Sequence, residues 1–429
     1  MTQAELAPFA QMMVAIEPYD WRFAINGLIV WAIGTLIFSR VMRLELAAIV
    51  MFIKVMIWGI YFTFYFDPFF KIGGDDHAYW EHAVDMWNFG LDPIRIWALA
   101  HMSYLINADP GRVVFYYYTY VGLYLFGPSY QSPILMNILV STMTTYFCGR
   151  VMFDLTKNRA CMELFSVYLS LHWMIIAWSS FLLLKEPLIV ALTAGVLYGI
   201  SWNTRRQILG RSCIAILCLF ALLYTRFYLP EVLIGGVAAG VFFSVRSARF
   251  SSKRRLASNV ERSEIVASVE RLLIVLRSRW VIIGILSSIA LYFGHNELKY
   301  FVSLMDLRGA PYEVIHFLLQ PLPWKITAPV SFLLIPSILH WLAIPLTCIG
   351  ALALWFQKTT LSRIIVMIAI VMTIFYGLVP DIASTRHRAP LDLLFAIMQF
   401  TGFLYLLKYT SRRKKSANEN IDFTETSAN

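Results

Sequence analysis

Asp75 and Asp76 follow a glycine pair and precede His77, Tyr79 and Trp80 in the stretch GGDDHAYW. A Gly-Gly turn followed by Asp suits a helix start, and one carboxylate is enough to cap it. The other is in excess. It can serve as a general base toward a hydroxyl, or the pair can hold a divalent cation such as Mg or Mn. The remaining candidates are mostly cations. Lys185 and Glu186 stand in LLLKEPL, Arg226 in YTRFYLPE, and Arg386, His387 and Arg388 in STRHRAP. The planar donor fork of Arg fits phosphate bidentately. Plainer roles exist for some of them: Lys185 and Glu186 as an interfacial pair before Pro187, and Arg226 as a snorkelling side chain at a span end. Tyr79, Trp80, Trp87, Trp97, Tyr104, Tyr116, Tyr117 and Tyr118 surround the acidic pair and suit sugar faces or lipid chains alike. A donor carrying a lipid phosphate and an acceptor carrying a hydroxyl meet all these demands.

The elements that position these groups are set by composition. Of 429 residues, 59% are hydrophobic and only 14% charged, where a soluble domain carries about a quarter charged. Apolar runs long enough to cross a core of about 30 Å recur along the chain. The short alternating segments of a β-barrel are not its pattern. The expected fold class is therefore an all-α polytopic membrane protein with about eleven spans: 22–39, 45–66, 130–152, 161–182, 187–203, 211–225, 230–245, 280–294, 328–355, 362–379 and 389–408. The first span lies behind Glu5, Glu17 and Asp20, unlike the basic start of a cleavable signal peptide. Residues 112–127 are aromatic-rich and read as a helix lying in the membrane interface.

Charge placement orients these spans. With residues 1–21 outside, 24 of the 36 Lys and Arg residues fall on the inner side and eleven on the outer, with Lys54 inside a span. Each inner loop follows the positive-inside rule. Counting 112–127 as a span would invert every later loop. The expected organisation is an outer catalytic loop 67–129, an inner basic loop 246–279 lying on anionic lipid, an outer loop 295–327, and a disordered cytoplasmic tail 409–429. The net charge of +10 sits in those short loops, so no nucleic-acid partner is expected. The five cysteines form no CxxC or Cys/His cluster, so neither a disulfide framework nor a zinc site is indicated. Under this topology all the site candidates fall on the outer face. Three basic residues at 386–388 there run against the positive-inside rule, which points to an anion ligand. Lys54 and His172, inside spans, are lesser candidates; the first can snorkel and the second can satisfy a neighbouring helix.

The order of motifs, GGDDHAY, then YLFGPS, SPILMNILVSTMTTYFCGRVMF, LLLKEP, LLYTRFYLP and RHRAPLDLL, resembles the GT-C superfamily of integral membrane glycosyltransferases. The nearest branches are the bacterial ones related to protein O-mannosyltransferases and lipid A sugar transferases. The resemblance covers residues 45–408. It implies a GT-C-like helical core with amphipathic interfacial helices in the first large outer loop, in the cell inner membrane. It implies a polyprenyl-phosphate-linked sugar donor, a glycan, lipid or protein acceptor, and an inverting transfer on the extracytoplasmic face. By the resemblance Asp75 and Asp76 are catalytic, or metal-linked if a metal takes part. Arg386, Arg388, Lys185 and Arg226 bind the donor phosphate, and His77, Tyr79, Glu186 and His387 contact substrate. Two other readings remain: an O-antigen-type polysaccharide polymerase, whose substrates are lipid-pyrophosphate glycans, and a glycolipid transporter, whose polar residues belong at broken helices near the bilayer midplane.

Overall fold

The computed structural model describes residues 21–66, 75–96, 112–201, 205–256, 304–305, 307–320, 322–326, 331–357, 359–379 and 386–426. The side chains of residues 75–77, 205–206, 247–256, 331 and 409–426 lie outside that description. Among the described residues every regular element is a helix: α1 (Trp21–Phe38), α2 (Leu44–Phe64), α3 (Asp75–Asn88), α4 (Pro93–Ile96), α5 (Val113–Phe126), α6 (Gln131–Thr156), α7 (Arg159–Ser170), α8 (Trp173–Ser180), α9 (Glu186–Ile200), α10 (Arg205–Leu223), α11 (Leu229–Leu256), α12 (Ala310–Leu319), α13 (Leu334–Phe356), α14 (Thr360–Leu378) and α15 (Ala389–Thr426), with two 3-10 turns before α13.

Six of these are long and apolar enough to cross a membrane: α1, α2, Leu229–Arg246 of α11, α13, α14 and Ala389–Lys408 of α15. The chain is therefore a multi-pass helical membrane protein. The expected span 161–182 is two helices, α7 and α8, bent by 49° at Leu171 and His172. Helices α5, α9 and the apolar part of α10 are shorter. At 14 residues, α5 extends about 21 Å, less than a bilayer core. The expected span 280–294 and most of the loop 246–279 lie outside the described residues. Within the expected tail 409–429, α15 continues to Thr426. No Gly or Pro follows Gly402, and its Lys, Arg, Ala and Glu are good helix formers.

Helix α6 packs against α1, α2, α5, α7, α8 and α9. It is rich in Ser and Thr, with Ser141, Thr142, Thr144 and Thr145 all buried. Ser141 and Thr142 donate to carbonyls three residues back, at 2.6 Å each, and Thr145 to one four residues back at 3.2 Å. Their hydroxyls are thus satisfied within the helix, which lets a polar sequence pack on α5, α7 and α9. Elsewhere glycines let backbones approach. A Cβ on Gly236 or Gly240 of α11 would stand 2.5 Å from the Cα of Ile368 or Ile364 on α14. Gly350 of α13 lies against the Met398 carbonyl of α15 in the same way.

The polar contacts sort by end. At one end Arg43 pairs with Glu163 at 2.9 Å and Arg211 with Asp154 at 2.6 Å. There too Gln357 donates to the Leu155 carbonyl (2.9 Å) and Arg363 to that of Phe243 (3.1 Å). These residues come from loops that charge placement put on the inner side, and we call this the basic end. The opposite end gathers the segments 182–186, 224–228 and 386–388.

Candidate functional site

At the mixed-charge end, α6 first shapes the segment before α9. The Asn137 amide donates to the carbonyls of Leu182 and Leu184 at 3.3 and 3.4 Å, and its oxygen accepts from the Tyr118 hydroxyl at 2.9 Å. The Leu183 amide donates to the Tyr130 hydroxyl at 3.3 Å. Residues 182–184 are non-helical and buried, so these side-chain partners stand in for helix hydrogen bonds. Lys185 then occupies the N-cap position of α9, and Pro187 its first turn.

Glu186 reaches across to Arg226 in the turn between α10 and α11. Arg226 Nη2 donates to Glu186 Oε1 at 3.2 Å, and both residues are buried, at 2% and 3% exposure. Arg226 is not a snorkelling side chain. It lies within electrostatic reach of Tyr228, Tyr376 and Tyr79 as well as Glu186. His387 completes the group, with its ring 6.5 Å from that of Tyr228 and 6.4 Å from that of Tyr376. Burial is the main cause that pushes the His387 imidazole down to about 2, and the charges of Arg226, Arg386 and Lys185 push in the same direction. His387 is thus a neutral ring among three cations.

The structure therefore brings together Lys185, Glu186, Arg226, Arg386, His387 and Tyr79, from four separate segments. Helix α3 delivers Tyr79, whose ring is buried edge-on against Phe115 of α5 at 4.6 Å. Trp80 packs on Tyr130 and His82 on Tyr116. Tyr79 anchors α3 on α5 and does not stand open as a platform for a sugar. Asp75, Asp76 and His77 form the first turn of α3. Asp75 and Asp76 thus stand one helical turn before Tyr79. The roles expected of these three side chains lie outside the described residues.

Arg388 departs from the group. It is fully buried and used up by protein partners. Its Nε donates to Asp392 at 2.9 Å, Nη1 to the carbonyls of Phe317 and Leu318 at 3.4 and 3.2 Å, and Nη2 to the His340 ring at 2.7 Å. It ties α15 to α12 and α13. The expectation that it binds a donor phosphate does not fit a guanidinium with all three nitrogens so engaged. Of the two candidates inside spans, Lys54 donates to Ser141 at 2.6 Å, and His172 pairs with Gln399 at 3.3 Å while its Nδ1 has no partner among the described residues.

Sequence reasoning missed Tyr228, Tyr376, His340 and Asp392. The last had a signal, a carboxylate inside an apolar run four residues after an arginine. The tyrosines had none, being two of many aromatics. Among the described residues no three His, Cys, Asp or Glu side chains group as a metal site; the carboxylates considered for Mg or Mn, Asp75 and Asp76, are outside that search. No family model, curated protein or solved structure matches this chain.

Proposed function

We propose that the chain is a membrane glycosyltransferase that moves a sugar from a polyprenyl-phosphate donor to a hydroxyl acceptor at the mixed-charge end. That end would face the extracytoplasmic side of the inner membrane, with about eleven spans of GT-C-like arrangement behind it. The supporting observation is the convergence of Lys185, Arg226 and Arg386 around His387, beside the helix that Asp75 and Asp76 open. Cations supplied by three segments suit a phosphate leaving group, and a carboxylate at the edge of such a field suits a base.

The reaction is a single inverting displacement. Asp75 or Asp76 takes the proton of the acceptor hydroxyl as its oxygen attacks the anomeric carbon. The bond from that carbon to the phosphate oxygen breaks, and the phosphate leaves with the electron pair toward Lys185, Arg226 and Arg386. A divalent cation held by the acidic pair would supply further charge neutralisation. Loss of the base is expected to slow transfer by about 10²–10⁴-fold.

The test is a strain deleted for the gene, carrying either wild type or the Asp75→Asn, Asp76→Asn double variant at matched membrane levels. Mass spectrometry of surface glycans and polyprenyl-linked sugars is the readout. Loss of one sugar with build-up of its lipid-phosphate donor supports transfer. Unchanged glycans and lipid intermediates would sink it. One observation favours the glycolipid-transporter reading: the break between α7 and α8, with the buried His172 and Gln399 beside it, is a polar feature inside the bundle. Transport without transfer would leave the donor unconsumed in purified vesicles.

A further inference from the structure

The two buried arginine–carboxylate pairs at this end of the protein are built differently. Arg388 engages all three of its nitrogens, as a structural tie does, and only its carboxylate partner keeps an unpartnered buried atom, Asp392 Oδ2, among the described residues. Arg226 and Glu186 touch each other at one point, Nη2 to Oε1, at 3.2 Å, and Arg226 also hydrogen-bonds the Tyr376 side chain. A buried guanidinium and carboxylate normally meet fork to fork, with two parallel hydrogen bonds. Here Arg226 Nη1 and Glu186 Oε2 are both buried and have no hydrogen-bond partner among the described residues. Leaving a donor and an acceptor of an ion pair unused in a buried site is costly, and such a pair is weak support for a fold. The pair therefore keeps one charged donor atom, Arg226 Nη1, and one charged acceptor atom, Glu186 Oε2, without a partner among the described residues. Its neighbours are the rings of Tyr228, Tyr376 and His387, which can wall a sugar, and the cations Lys185 and Arg386.

We propose that the Glu186–Arg226 pair reads a glycosyl phosphate at two points: Arg226 Nη1 donates to a phosphate oxygen, and Glu186 Oε2 accepts from a hydroxyl of the sugar on that phosphate. Glu186 is then the residue that distinguishes a sugar phosphate from a bare phosphate, and one sugar from another by the position of that hydroxyl. This inference rests on reading the mixed-charge end as the transfer site.

The experiment uses the full chain in nanodiscs, with thermal unfolding and titration against inorganic phosphate, methyl phosphate, and hexose and pentose 1-phosphates. In wild type one or more glycosyl phosphates are expected to bind more tightly than methyl phosphate. Glu186→Gln keeps the shape of the side chain. It is expected to lower the preference for the glycosyl phosphate over methyl phosphate by about 10- to 100-fold, the worth of one hydrogen bond to a charged group. Singly deoxygenated forms of the best glycosyl phosphate give a test in wild type alone: one of them is expected to fall to the level of methyl phosphate. If methyl phosphate binds as well as every glycosyl phosphate, or every deoxy form binds like its parent, the two-point reading is overturned while the phosphate site stands. If Glu186→Gln keeps the full preference for sugar, Glu186 is not the reader. If no phosphate of any kind binds, both this inference and the proposed function fall.

Discussion

Arg388 and Arg386 are two residues apart and are expected to respond oppositely to loss of charge. Replacing Arg388 by Gln leaves Asp392 buried without its cation, so Arg388→Gln is expected to lower stability by about 3–5 kcal/mol. The double variant Arg388→Met, Asp392→Leu is expected to recover much of that, because a buried ion pair can be exchanged for apolar packing at little net cost. Denaturant titration in detergent compares the three. Arg386→Gln is expected to leave the unfolding midpoint near wild type and to reduce the proposed transfer. His387 carries a pH signature. Its imidazole is held down to about 2 in the folded chain, by burial first and then by Arg226, Arg386 and Lys185, against about 6.5 when unfolded. Between those values the unfolded chain binds a proton that the folded chain does not, so stability rises with pH. The contribution is complete above about 6.5 and is lost as pH falls toward 2. Unfolding temperatures are expected to drop from pH 7 to pH 5, and His387→Gln is expected to flatten that slope. An equal slope in both proteins would mean that other groups dominate.

At the scale of elements, the glycine contacts decide how closely the spans pack. A side chain at Gly236 or Gly240 must push α11 away from the backbone of α14, since the nearest atoms are the Cα atoms of Ile368 and Ile364. Gly240→Val is expected to cost about 1–3 kcal/mol as overpacking. Gly59 of α2 and Gly210 of α10 have open space where a Cβ would go. Alanine there is expected to be neutral or to stabilise by up to about 1 kcal/mol, because glycine is a poor helix former. Guanidinium or urea unfolding of the three variants separates packing from propensity. The same elements show what a sequence can and cannot reveal. Long apolar runs give α1, α2 and α14 to within two residues, because only a helix satisfies its backbone in hydrocarbon, while α13 begins at Leu334, six residues after its expected start. The break at Leu171 and His172 was not legible, since no Pro or Gly marks it and its partner Gln399 is 227 residues away. The site was legible as a set of polar residues in loops of one side. Its pairing was not, because Arg226 chooses Glu186, and Arg388 chooses Asp392 and His340, through packing that no local pattern records.

At the scale of the whole molecule, alternating passes make one testable whole of the two ends. Loops assigned to the inner side contact one another in the structure, through Arg211 and Asp154 and through Gln357 and Leu155. Segments assigned to the outer side do likewise, through Glu186 and Arg226 and around His387. Contacts give the separation of the ends, and only the positive-inside rule gives the side on which each lies. Two exposed positions decide the matter: Ile94, 85% exposed within α4, and Lys157, whose side chain is 57% exposed at the end of α6. In a background with the exposed Cys213 and Cys348 replaced by Ser, Ile94→Cys is expected to react with a membrane-impermeant maleimide on intact spheroplasts. Lys157→Cys is expected to react only after permeabilisation. The reverse pattern would keep the bundle but place the mixed-charge end in the cytoplasm, where a polyprenyl-linked donor presented on the outer leaflet could not reach it. Reaction of both from one side would break the alternation of passes, and with it the assembly of Lys185, Arg226 and Arg386 at a single end.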